Sequence, residues 1–193
     1  MGRIAENLHR MSRVEWNNLA KNNYCDDEIQ EWIAKHGHLQ ARYYLAENPN
    51  LSRKAKQTIL AGKSVLAKAL MIPTGVVTNG DRIREIYNDC KNKFDSWRIQ
   101  NIFLRDVWRR GEITPSSTPG DILESIYDDF CANRPEGYWR TTYIPRSLAG
   151  HANCTLKLAI QISQAEHPET ANFGKAALVR VTKKLKEEKN RIV

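Results

Sequence analysis

The side chains that could ligate a metal or carry acid, base and nucleophilic steps in this 193-residue sequence are five histidines, four cysteines and 22 acidic residues. Their spacing argues against each of those chemistries. His36 and His38 stand two apart, whereas a metal pair on a helix needs three or four residues between its histidines, and no carboxylate cluster adjoins them. They read as surface histidines. His151 and Cys154 have the composition of a base and a nucleophile, yet closeness along the chain does not activate a thiol, and the repeat set out below aligns Cys154 with Leu51. Cys25, Cys90, Cys131 and Cys154 form no Cys-x-x-Cys pair, so zinc and thioredoxin-like chemistry have no support and buried free thiols are expected. Gly75 and Gly80 bracket Val-Val-Thr-Asn with the wrong spacing for a phosphate loop and predict a turn. A non-enzymatic protein is expected, with no catalytic residue, cofactor or metal site.

Binding chemistry is the remaining possibility. Arg42 and Tyr43, with Tyr44, fall on one predicted helix, and Arg105, Trp108, Arg109 and Arg110 on another. Arginine and aromatic residues are enriched at the energetic centres of protein interfaces, and the same pair stacks on bases and contacts phosphates. The competing reading packs these aromatics between helices, with the arginine stems covering apolar surface. Acids open several helices, namely Asp26-Asp27-Glu28, Asp81 and Asp121, where they complement the macrodipole. Glu124, Asp128 and Asp129 sit instead toward the end of a helix, where negative charge is mildly unfavourable. That placement makes them a secondary candidate for contact with a basic partner.

The elements that must position these residues follow from periodicity. In Ser52-Arg-Lys-Ala-Lys-Gln-Thr-Ile-Leu60, Ser52 is an N-cap and Ala55, Ile59 and Leu60 form an apolar stripe. Leu39 to Ala46 is a shorter helix, stopped by Asn48-Pro49 because the residue before proline is pushed out of the α region. Displacement by 26 residues lays Leu19-Ala-Lys-Asn-Asn-Tyr-Cys-Asp26 under Leu45-Ala-Glu-Asn-Pro-Asn-Leu-Ser52, with Asp26 matching the Ser52 cap. Forward displacement brings Val65, Ala67, Lys68 and Met71 under Leu39, Ala41, Arg42 and Leu45. Arg42 and Lys68 are thereby equivalent, and stacking would align them on one basic ridge that Arg105, Arg109 and Arg110 extend.

This rhythm predicts an all-α chain, a short irregular right-handed α-solenoid of about five hairpins plus a C-terminal helix, without a sheet. The units run over 13–36, 37–62, 63–90, 94–132 and 138–165, with a closing helix over 171–190, as a single helical-repeat domain. Leu19, Ile33, Leu45, Ile59, Leu60, Ile86, Ile122, Ile126, Leu158 and Ile162 are the expected core. The five tryptophans are expected to fill gaps between repeats. The connection from Gly111 to Gly120 is expected to be an exposed loop bordering the partner site.

Residues 41–52, continuing to Ile59-Leu60-Ala61, resemble the leucine-rich variant repeat, a short HEAT-like α-solenoid unit with a Val-Ala-x-Asn-Pro turn and a Leu-x-x-Leu-Ala helix. The unit before it has Asn23 where the family carries proline, and later units keep the rhythm alone. The resemblance implies an architecture and a curved binding surface. It leaves the ligand open.

Lys+Arg 30 against Asp+Glu 22 gives a net charge of +8, which favours an acidic partner. Residues 36–70 carry Arg42, Arg53, Lys54, Lys56, Lys63 and Lys68 against Glu47 alone, while Lys183 to Arg191 interleaves both signs as a solvated helix end would. The expected function is a protein-binding adaptor or inhibitor, of the kind a phage or mobile-element regulator represents, gripping a protein with an acidic surface. The alternative is a DNA- or RNA-binding helical-repeat protein, with HEAT-like DNA glycosylases a more remote comparison. No apolar run approaches the roughly 18 to 20 residues of a membrane span, and the first residues lack a signal-peptide core, so a cytoplasmic location is expected.

Overall fold

A computed structural model describes residues 10–91, 93–94, 96–105, 107–109, 112–114, 117–133 and 138–191. Among these the chain forms eleven helices, and the protein is all-helical in class. Contacts group the chain into two compact units, one of residues 1–92 with 106–114 and the other of 93–105 with 115–193. The sequence reading treats the hairpins as one array; the contacts divide them.

The first unit holds α1 (Arg13–Lys21), α2 (Asp27–His36), α3 (Leu39–Ala46), α4 (Arg53–Ala61), α5 (Val65–Leu70) and α6 (Gly80–Lys91). Helix α3 packs on α1 and on α5, and α4 packs on α2, so first helices stack on first helices and second on second. Each short helix has an apolar stripe too small to be stable alone, and stacking covers it. Ile33, Leu45, Met71, Ile72, Ile83 and Ile86 are fully enclosed. Helix starts follow their cap residues: Ser12 forms a capping box with Glu15, and the hydroxyls of Ser52 and Ser64 accept the backbone N–H of Ala55 and Ala67. Asp26 occupies the expected cap position but makes no side-chain cap bond, so its match with Ser52 is one of place.

The turns in this unit are joined to one another at the 26-residue spacing. Asn22 and Asn48 each fold an Asx turn, their Oδ1 accepting the N–H of Tyr24 at 2.9 Å and Asn50 at 2.8 Å. Asn48, buried, then donates from Nδ2 to the Asn22 carbonyl at 3.2 Å, and Asn50 donates to the Asn23 carbonyl at 3.2 Å. From the second helices, Gln30 donates to the Asn50 carbonyl, and Lys56, one 26-residue step on, donates to that of Val76. Gln30 also accepts the N–H of the Ser52 cap at 2.8 Å. These bonds join one turn to the next and satisfy the buried Asn48 carboxamide, which would otherwise be costly to enclose.

The second unit holds α7 (Ser96–Phe103), α8 (Gly120–Asn133), α9 (Tyr138–Gly150), α10 (Leu156–Ser163) and α11 (Pro168–Asn190). Its turns use the same devices with other residues. His151 Nδ1 accepts the Asn153 N–H at 3.1 Å, where Asn22 and Asn48 use a carboxamide, and Asn153 donates to the Thr118 carbonyl at 3.0 Å. Helix α11 packs on both α9 and α10. It comes closest at buried Gly174, where a Cβ would stand 2.1 Å from the Ser163 nitrogen. Arg180 donates to the carbonyls of Ala149, Gly150 and His151, closing the end of α9.

Three expectations change. The helix expected to carry Trp108 and Arg109 is not formed: α7 ends at Phe103, and β1 (Val107–Arg109) pairs antiparallel with β2 (Glu112–Thr114), while Arg110 lies outside the described residues. This ribbon departs from the expectation of no strand. Val107, Trp108, Ile113 and Thr114 are β-branched or aromatic, types that favour strands. The 111–120 connection is not simply exposed loop, since Thr118 is buried and its hydroxyl donates to the Phe103 carbonyl at 2.7 Å. Among the expected core, Leu19 and Leu60 are only half-buried, while the other eight are buried. Trp16 is buried against half-buried Trp32, ring centroids 4.5 Å apart. The side chains of Trp97, Trp108 and Trp139 lie outside the described residues.

Candidate binding site

Helices α3 and α5 carry Arg42 and Lys68 at equivalent positions on packed neighbours, and both side chains are half-buried. Arg42 has a structural duty as well, donating from Nε to the Gly37 carbonyl at the end of α2, at 2.8 Å. Tyr43 is half-buried, and the Tyr44 ring lies under Lys21 Nζ, 4.2 Å from its centroid. Arg53, Lys54 and Lys63 are exposed around this segment, with Lys54 3.6 Å from Glu31. Lys56, counted in the same basic run, is occupied by the Val76 carbonyl. Arg42 and Lys56 keep their charge but are tied to backbone carbonyls, whereas Arg53 and Lys63 of the same run are exposed.

The other predicted basic residues are differently placed. Arg105 is exposed just after α7 and belongs to the second unit, so it does not share a first helix with Arg109. Trp108 and Arg109 lie on β1, with Arg109 in register with Glu112, and Arg110 lies outside the described residues. The expected ridge along one helix from Arg105 to Arg110 is corrected accordingly.

Of the acidic candidates, Glu124 is structural. It accepts the Thr155 hydroxyl at 2.5 Å and Lys157 Nζ at 2.8 Å, and these bonds hold its carboxyl below the usual range, the Lys157 bond most strongly. Thr155 is the N-cap of α10, also accepting the Leu158 N–H, so Glu124 joins α8 to the start of α10 much as Gln30 joins α2 to α4. Asp129 is half-buried, and its carbonyl accepts from Asn133. Asp128 is exposed.

Asp128 borders a cleft of about 570 Å³ within the second unit, between the end of α8, the end of α10 and the opening of α11. Tyr127 and Phe130 line it with ring centroids 6.1 Å apart, and Gln161, Gln164, Glu166, His167 and Thr170 are polar residues of the lining. Among the described residues that line it there is no lysine or arginine. The Gln161 Oε1 atom is buried and accepts no hydrogen bond from the described residues. Burial pushes the Tyr127 phenol upward, with a contribution from Cys131, so it remains a neutral donor. The sequence reading found Asp128 and missed the rest, because Gln161 and Glu166 carry no motif and only folding brings them beside α8.

Of the four thiols expected to be buried, Cys25, Cys90 and Cys154 are, whereas Cys131 is exposed. Cys25 is buried and its thiol is pushed up to about 11, by burial first and then by Asp26. Burial likewise raises Cys154, whose neighbour His151 spends Nδ1 on the Asn153 amide. His38 accepts the Ala41 N–H through Nδ1 as a helix cap, a role that its sequence position did not suggest. Among the described residues no group of histidine, cysteine and carboxylate side chains is gathered to hold a metal ion, and no helix is long and apolar enough to cross a membrane. In comparisons with known proteins, no family model, curated protein or solved structure matches the chain.

Proposed function

We propose that this chain is a non-enzymatic α-solenoid module that grips the acidic surface of another protein, acting as an adaptor or inhibitor. The observation that carries this reading is the hydrogen bonding between consecutive hairpins, Asn48 to Asn22 across 26 residues and Lys56 to Val76 across 20, which supports a stacked array of repeats. A surface held that rigidly loses little conformational entropy when it binds. Its charge supports an acidic ligand, since Arg53, Lys63 and Lys68 stand on or beside α4 and α5 with few acids near them in sequence.

The test is recovery of stoichiometric partners from the native host with the wild-type chain and with the triple variant Arg53→Glu, Lys63→Glu and Lys68→Glu. Arg42 is left in place because it holds the end of α2. Melting first verifies that the variant folds. A protein retained by the wild type and lost by the variant supports the reading. Recovery of nucleic acid alone, with affinity falling steeply as salt rises, replaces it with the nucleic-acid alternative.

A further inference from the structure

The flank of the α10 and α11 pair turned away from α9 carries a row of exposed aliphatic side chains, and we propose that it is a docking groove for an acidic amphipathic helix of a partner protein. The inference does not rest on the proposed function, whose basic residues lie in the first unit, and separate variants test the two.

The register of the two helices defines the groove. A Cβ on Gly174 would meet the Ser163 nitrogen, which puts these residues level, and Arg180 reaches the carbonyls of the turn before α10, as an antiparallel pair requires. On α11, Arg180 and Phe173, whose ring lies under the Arg146 guanidinium, face α9. At about 100° per residue, Leu178 and Leu185, four and eleven positions past Gly174, turn to the opposite flank. On α10 the core side is Leu158, Ala159 and Ile162, so Leu156 and Ile160, one turn apart, fall on that same outer flank. Leu156, Ile160 and Leu185 are 41%, 40% and 47% exposed, with Leu178 half-buried between the helices. Three of the eight exposed large apolar side chains among the described residues thus share one two-helix surface, where chance would scatter them singly.

The rim selects the charge of the partner. Lys175 and Lys189 are exposed on the same flank of α11, three residues before Leu178 and four after Leu185, and α10 contains no acid. From Lys175 to Arg191 there are seven basic residues and two acids, and those acids, Glu187 and Glu188, already stand 3.9 and 4.0 Å from Lys183 and Lys184. An acidic ligand is complementary. A second copy of this chain is not, because a two-fold axis across the groove would set Lys175 against Lys189.

The shape selects a helix. Two antiparallel helices leave a trough between their side-chain ridges, into which a third packs with apolar residues at i, i+3 or i+4 and i+7. Ile160 is level with Ala177, and from there to Leu185 is about 12 Å, two turns of a partner helix. A bilayer suits the surface less well, since the side of α11 opposite α10 places Val179, 73% exposed, among Lys183, Lys186 and Asn190 and offers no continuous apolar face.

The probe is an acetylated peptide two heptads long, with leucine at the a and d positions and glutamate and alanine elsewhere, titrated into the full chain. Saturable binding is expected, with a gain of helicity by circular dichroism and methyl NMR shifts at Leu156, Ile160, Leu178 and Leu185. Leu156→Gln with Leu185→Gln, verified by melting to keep the fold, should weaken binding about tenfold or more, whereas Val179→Gln on the outer side should leave it unchanged. Lysine in place of each peptide glutamate should weaken binding to a similar degree. Equal affinity for a shuffled peptide of the same composition overturns the helical groove, because charge alone then suffices. Shifts elsewhere, an equal loss with Val179→Gln, or no binding at millimolar peptide overturn the site. Sedimentation of the chain with phosphatidylglycerol vesicles, lost in the double variant while the peptide fails to bind, replaces the partner helix with a lipid surface.

Discussion

Replacing Gln30 by leucine tests whether the repeats are held by their polar stitches or by apolar packing alone. Gln30 is 1% exposed and makes three bonds: Nε2 to the Cys25 carbonyl at 2.7 Å, Nε2 to that of Asn50 at 3.4 Å, and Oε1 from the Ser52 N–H at 2.8 Å. The two short bonds contribute about 1 kcal/mol each. Leucine fills nearly the same volume but leaves the Ser52 N–H and the Cys25 carbonyl enclosed without partners, each costing about 1 to 3 kcal/mol, against which new apolar burial returns part. The expected net loss is about 3 kcal/mol, read as a shift of the urea midpoint by far-UV circular dichroism. Since two units need not unfold together, native-state hydrogen exchange at the Ser52 and Ala55 amides locates the effect. A loss under about 0.5 kcal/mol, or unchanged protection at Ser52, would refute the claim that this side chain joins α2 to α4. Gln30→Glu adds a sign. The carboxylate keeps the Ser52 bond but must hold a proton to donate to Cys25, so its folded pKa is raised. Its stability is full at low pH and is lost as pH rises through that raised value.

Glu124 should behave in the opposite sense. Its folded pKa lies below the ordinary 4.5, so its stabilisation is present above that value and disappears as pH falls through the folded pKa; in Glu124→Gln, melting temperatures should show less of this acid dependence. Gly174→Ala places a methyl against the Ser163 backbone and should destabilise the second unit by about 1 to 3 kcal/mol, seen as a lower thermal midpoint; an unchanged midpoint would mean that α11 can lift from α10 without cost. Ile59→Ala empties a buried site in the first unit and should cost about 2 to 5 kcal/mol in a urea melt, whereas Leu60→Ala, half-buried, should cost clearly less.

The sequence by itself determined the helical class and the register of its first three hairpins. Periodicity of 3.6 with Ser52 as a cap, and Asn-Pro as a stop, are local instructions that act over a few residues, and a 26-residue displacement compares like with like. The same displacement relates Gln30 to Lys56, but nothing in a glutamine or a lysine announces that it will span to the next turn. Only the stacked structure shows Asn50 and Val76 receiving them. Where the local signal was ambiguous the reading erred. Val107-Trp-Arg and Glu112-Ile-Thr fit a helix or a strand at that length, and pairing across the hairpin decides between them. Tertiary structure likewise decided which charges are available. Arg42, Lys56 and Glu124 read as surface groups, yet Gly37, Val76 and Thr155 engage them, because a buried carbonyl or hydroxyl takes whatever partner the packing brings near. The cleft of Asp128, Gln161 and Glu166 belongs wholly to that second level. Asp128 stands more than 30 positions from Gln161 and Glu166 and shares no pattern with them, and only where the end of α8 meets that of α10 do they come together.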